Sequence, residues 1–75
     1  MLCAVMYFNE EMNAYAGKAY TYYTKLPLKV FDAVLAPVGF KGEKKKAVVI
    51  DIDIPQETVP NDILKILKEI KETDE

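Results

Sequence analysis

The residues in this chain that could do chemistry are lysines, tyrosines and one pair of aspartates. Lys41, Lys44, Lys45 and Lys46 fall within a single short stretch and make the only dense basic cluster. On a hairpin tip they would neutralise several phosphates and bind a polyanion in a salt-sensitive way. The plainer role is a solvated turn whose charges keep strand edges from aggregating. Tyr20, Tyr22 and Tyr23 form an aromatic run upstream of these lysines. Exposed aromatics beside lysines are stacking platforms for single-stranded bases, worth about 1–3 kcal/mol per base. One face of their strand must be core, so part of this run serves packing, and Tyr7, Tyr15 and Phe40 divide between the same two roles. Asp51 and Asp53 are spaced to share one strand face, as some magnesium sites require. Spacing supplies no third carboxylate, so the pair reads as the wet face of a strand, and no metal or cofactor is assigned.

Composition narrows the chemistry further. The chain has no histidine, which removes the commonest general base and metal ligand and with them Ser–His–Asp, Cys–His and histidine-zinc sites. Its single cysteine, Cys3, sits in an apolar run and reads as a buried, inert thiol suited to a reducing cytoplasm. There is no GxxxxGK[ST] phosphate loop, so ATPase chemistry is excluded. A non-catalytic chain is expected. The net charge of −2 restricts any nucleic-acid contact to a local patch.

These side chains need elements to carry them. Seventy-five residues form one domain, residues 1–75, which buries only about 60% of its unfolded surface. A hydrophobic content of 51% is enough for a thin core and too high for disorder. Met1–Phe8 is apolar and far shorter than the roughly 20 residues needed to span a bilayer, so it reads as a buried strand and no membrane contact is expected. Lys18–Lys25 is rich in threonine and tyrosine and predicts a second strand, with Tyr20 and Tyr22 on one face and Thr21, Tyr23 and Lys25 on the other. Asp32–Val38 and Lys46–Ile54 predict a hairpin around the lysine loop. In its second strand Val48, Ile50, Ile52 and Ile54 alternate with Val49, Asp51 and Asp53, which predicts one buried face.

Beyond Pro55 the period changes. Ile63, Ile66, Leu67 and Ile70 fall at i, i+3, i+4 and i+7 and predict an amphipathic helix over residues 61–72, with Lys65–Glu69 and Lys68–Glu72 as i, i+4 pairs. The fold expected is mainly β with one C-terminal α-helix. Residues 1–54 would form a small, partly open, SH3-like β-barrel, and the helix would cover an open end or edge.

Several short stretches carry a resemblance. Tyr20-Thr21-Tyr22, Leu28-Lys29-Val30-Phe31-Asp32-Ala33-Val34, Pro37-Val38-Gly39 and Ala47-Val48-Val49 follow one another between Tyr20 and Ile54. This order resembles the N-terminal domain of PriA-type primosomal helicases, a small barrel that binds the 3′ end of a DNA strand at replication forks. The chain has Phe31 where that family has glycine before the aspartate, and Thr21 where it has an acidic residue between two aromatics. The resemblance implies a PriA-N-terminal-like barrel that contacts single-stranded or 3′-ended DNA. The residues expected to make that contact are Lys41, Lys44, Lys45, Lys46, Tyr20, Tyr22 and Tyr23. The alternative is a protein-interaction domain, docking through the C-terminal helix or an open strand edge, or self-associating through Ile63, Ile66 and Ile70.

Overall fold

The computed structural model describes residues 1–74. Four long strands form its body: β1 (Leu2–Asn9), β2 (Ala14–Thr24), β3 (Ala33–Val38) and β4 (Glu43–Asp51). A 3-10 turn at Gln56–Thr58 and a single helical turn, α1 (Asn61–Leu64), lead to two very short strands, β5 (Glu69–Ile70) and β6 (Glu72–Thr73). All six strands belong to one sheet in the order β5-β2-β1-β4-β3-β6, antiparallel except for the β2–β5 pair. The chain is mainly β, as expected.

The sheet curls. β5 and β6 lie at opposite ends of the strand order, yet only Lys71 separates them along the chain. Consecutive Cα atoms are about 3.8 Å apart, so the free edges of β2 and β3 must both come to this one segment. β5 and β6 do not pair with each other, so the hydrogen-bond ladder is not a closed ring. The C-terminal strap spans the gap covalently instead.

Inside the curl, alternate residues of each strand build the core. Cys3 and Val5 of β1, Tyr22 and Thr24 of β2, Val34 and Ala36 of β3, and Ala47 and Val49 of β4 are buried there with Leu28 and Ile70, and Ala4 is buried outside this cluster. Ile70, Val5, Val34 and Val49 are fully buried. Thr24 is the one buried polar residue among those described, and its hydroxyl donates to the Ile70 carbonyl at 2.9 Å while accepting from the Leu26 N–H at 3.1 Å. That side chain ties strap to body and satisfies its own polar atom.

Two departures from the expected elements have clear causes. The helix over 61–72 stops after one turn: the Lys65 N–H still bonds the Asn61 carbonyl, but Ile66 bonds Ile63 and the chain then runs extended. Isolated helices of this length are marginal in water, and i, i+4 pairs add only a few tenths of a kcal/mol each. Against that, an extended tail buries Ile70 and covers part of two strand edges. The i, i+4 pairs are replaced by longer-range contacts: Lys68 donates to the Gly39 carbonyl and Lys44 pairs with Glu72.

The second departure concerns β4. It begins at Glu43 rather than Lys46 and ends at Asp51, and its buried residues are Ala47 and Val49, with Val48 and Ile50 half-buried. Pairing sets this phase: Val5 faces Val49 and Ala4 faces Asp51, leaving Ile50 as the extra residue of a β-bulge. Ile52 and Ile54 lie beyond the strand. Asp51 accepts the Ile52 N–H at 2.9 Å and Asp53 adopts left-handed backbone (φ 50°), so the two aspartates do not share a strand face.

Candidate nucleic-acid interface

One end of the curled sheet collects the aromatic and basic side chains. Tyr7 follows Cys3 and Val5 on the inner face of β1, and Tyr20 and Tyr22 occupy the same face of β2, across from Val5 and Cys3. Tyr7 and Tyr20 therefore meet, with ring centres 4.7 Å apart and planes inclined by 24°. The Tyr22 hydroxyl donates to the Pro37 carbonyl at 2.8 Å and lies 2.5 Å from the Tyr7 hydroxyl. Because Tyr22 spends its one proton on Pro37, Tyr7 donates to Tyr22, giving a relay that fixes both rings. Burial raises the Tyr22 hydroxyl pKa and keeps that proton in place on its bond to Pro37.

The lysines come from β4. Lys44, Lys45 and Lys46 are strand residues opposite Pro37, Ala36 and Leu35 of β3, not members of a loop. Period two puts Lys45 on the inner face with Ala36, and its ammonium lies 5.2 Å from the Tyr7 ring centre, a cation–π contact. Pairing of β1 with β4 ends at Tyr7–Ala47. Beyond it the two strands part, and Phe8–Glu11 no longer pair with Lys44–Lys46. β2 carries extra residues opposite Tyr7, since Met6 pairs with Ala19 but Phe8 with Tyr15. Gly17, at φ 97°, supplies the backbone conformation that this wide bulge requires.

The parting of the strands opens a cleft of about 730 Å³. Tyr7, Phe8 and Tyr20 form its aromatic part, Lys18, Lys44, Lys45 and Lys46 its basic side, and Glu10 and Glu11 its acidic side. Tyr20 is 43% exposed, so ring surface remains available beyond its stack with Tyr7.

Of the residues expected from sequence, Tyr20, Lys44, Lys45 and Lys46 converge here. Tyr22 does not offer a ring: it is 5% exposed, packed in the core and hydrogen-bonded. Tyr23 is on the opposite sheet face, paired with Leu2 and Glu69 and placed beside Leu64 and Leu67. Lys41 stays on the exposed turn 39–42 and does not line the cleft. Lys44 is engaged by Glu72 of the strap as well as lining the cleft. The expectation omitted Lys18, Glu10 and Glu11, which enter only through the bulge and the parting of β1 from β4. Tyr7 had a visible signal, its alternation with Cys3 and Val5.

Elsewhere, Ile63 and Ile66 lie beside Ala19, Tyr20 and Leu67 in a shallower groove of about 330 Å³. Ile66 is 73% exposed, whereas Ile70 is in the core and closed to any partner. No helix among the described residues is long and apolar enough to cross a membrane. Comparison of the chain with protein-family models, with curated proteins and with solved structures finds no match.

Proposed function

We propose that this chain is a small, non-catalytic nucleic-acid-binding module, PriA-N-terminal-like in its partly open barrel, that grips a single strand in the cleft between β1 and β4. The observation that carries this reading is the placement of an exposed, stacked tyrosine pair and the inward-facing Lys45 ammonium at one open cleft, with Lys18, Lys44 and Lys46 on its border. Tyr20 offers a π-face to one base while Lys45 and the lysines bordering the cleft meet the phosphates along the strand. A duplex hides its base faces in the stack, so this arrangement favours a single strand or a free end. A second feature supports the PriA-like barrel. Phe31, where that family has glycine, has a φ of 78°, a left-handed backbone that glycine adopts without steric cost. A cytoplasmic setting suits the lone, buried Cys3.

Fluorescence anisotropy with a labelled oligothymidine at low salt tests the reading. Binding should weaken about tenfold in Tyr20→Ala, matching the loss of one stacked base. It should be abolished in Lys45→Glu with Lys46→Glu. With about three phosphates neutralised, log K should fall with log salt at a slope near −2. Wild-type affinity in both variants, with unchanged circular dichroism, would overturn the proposal.

The exposure of Ile66 beside the groove at Ala19 and Tyr20 favours a second reading, self-association through this apolar surface. It predicts a concentration-dependent sedimentation coefficient that Ile66→Lys abolishes. A monomer at every concentration would reject it.

A further inference from the structure

Away from the lysine cleft, β2 is an edge of the sheet over most of its length. Only Tyr23 and Thr24 pair with β5, so residues 14–22 have no strand partner on the side away from β1. The ladder shows which groups face that side. The Thr24 N–H bonds the Met1 carbonyl, toward β1, and the Tyr23 N–H bonds the Lys68 carbonyl, away from it. Direction alternates along an antiparallel strand, so Ala19 and Thr21 point both N–H and C=O outward. The groove lined by Ala19, Tyr20, Thr21, Ile63, Ile66 and Leu67 runs along this stretch. A row of free N–H and C=O groups beside the exposed Ile66 is a template for an extended strand. The other edge is not: β6 covers Val34 and Leu35, and Pro37 has no N–H to give.

Resting on the self-association reading above, we propose that the strand added here is β2 of a second copy, paired antiparallel about a two-fold axis at Tyr20. Charge and register select this occupant. The stretch Ala19–Tyr22 carries no charge, so two copies meet there without like-charge repulsion. Pairing about Tyr20 sets Ala19 opposite the partner's Thr21, and Thr21 opposite the partner's Ala19. These are the residues whose groups face outward, and each such pair exchanges two hydrogen bonds. The same register sets the partner's Gly17 opposite Tyr23. The partner's regular strand thus ends at its bulge, where β5 begins, and the new ladder leaves β5 in place. A two-fold contact uses the same patch on both copies, so Ile63 and Ile66 flank it twice and leave water together.

The test measures the full, unaltered chain by sedimentation velocity across concentration, then by amide hydrogen exchange at the two extremes. Exchange at Ala19 and Thr21 should slow about tenfold where about nine-tenths of the chain is paired, with Lys41 on its exposed turn unchanged. Tyr20→Cys gives a second readout. Opposed residues of a pair that is not hydrogen-bonded have Cα atoms about 4.5 Å apart, within disulfide reach, so oxidation should link two copies through that position. Cys3 is buried and does not compete. Tyr23→Cys, whose neighbour on that side is Glu69, should link far less. Association without protection at Ala19 and Thr21 overturns the edge pairing and leaves self-association standing. Protection without the Tyr20→Cys link overturns the register about Tyr20. A monomer at every concentration overturns self-association, and the pairing with it.

Discussion

Replacing Ile70 and Ile66 by alanine, one at a time, separates the strap from a helix. The two positions lie four residues apart on the same apolar stripe, so in an amphipathic helix both would pack on the body and both would cost stability when truncated. Here Ile70 is fully buried between β2 and the core, and Ile66 is 73% exposed. Ile70→Ala leaves the backbone partner of the Thr24 hydroxyl in place and removes only the side chain, so the loss is the transfer and cavity cost of a buried isoleucine, about 2–5 kcal/mol. Ile66→Ala should fall within about 0.5 kcal/mol of wild type, as for ordinary surface changes. For 75 residues a total stability of roughly 4–11 kcal/mol is typical, so Ile70→Ala removes a large share of it. Urea denaturation followed by far-ultraviolet circular dichroism measures both, with stability read from the midpoint at constant slope. Equal losses at the two positions, or a larger loss at Ile66, would refute the strap.

Tyr22→Phe deletes a relay hydroxyl and strands the Pro37 carbonyl, and should cost about 1–2 kcal/mol in the same denaturation assay. Glu72→Gln frees Lys44 from the strap: oligonucleotide affinity should rise about two- to threefold by anisotropy, while stability changes by less than about 1 kcal/mol, as for an exposed ion pair. Alkaline pH should destabilise the fold. Burial raises the Cys3 thiol above its ordinary 9.0, opposed by the N-terminal ammonium, and burial raises the Tyr22 hydroxyl above its ordinary 10.0. The native state then keeps protons that the unfolded chain releases, so this contribution is intact below pH 9 and is lost as pH rises beyond it. A thermal midpoint that holds steady or climbs from pH 9 to 11 would contradict this.

Strand identity was legible wherever side-chain type and alternation agreed. Tyr20 and Tyr22 do share the inner face, Thr21 and Tyr23 the outer one, and Val34 and Ala36 are buried together as their spacing predicts. The tail departs from its sequence pattern because Ile63, Ile66 and Ile70 satisfy a helical period that tertiary packing overrides. Nothing local announces that the edges of β2 and β3, far apart in sequence, need the same five residues, Glu69–Thr73. The phase of β4 was hidden for a similar reason, since Val48, Val49 and Ile50 are all apolar and only pairing with β1 chooses between them. At the site, composition pointed to lysines and tyrosines but not to which of them meet. The bulge at Gly17 and the parting of β1 from β4 make the cleft, and both are properties of register rather than of residue type.

Binding of a single nucleic-acid strand in this cleft, as proposed, is tested most directly by an amide-resolved NMR titration with short single-stranded DNA at low salt. Shifts should concentrate at Tyr7, Lys18, Tyr20 and Lys44–Lys46, with Tyr23 and Lys41 unmoved. Shifts centred on Ile63 and Ile66, or none at saturating DNA, would contradict it.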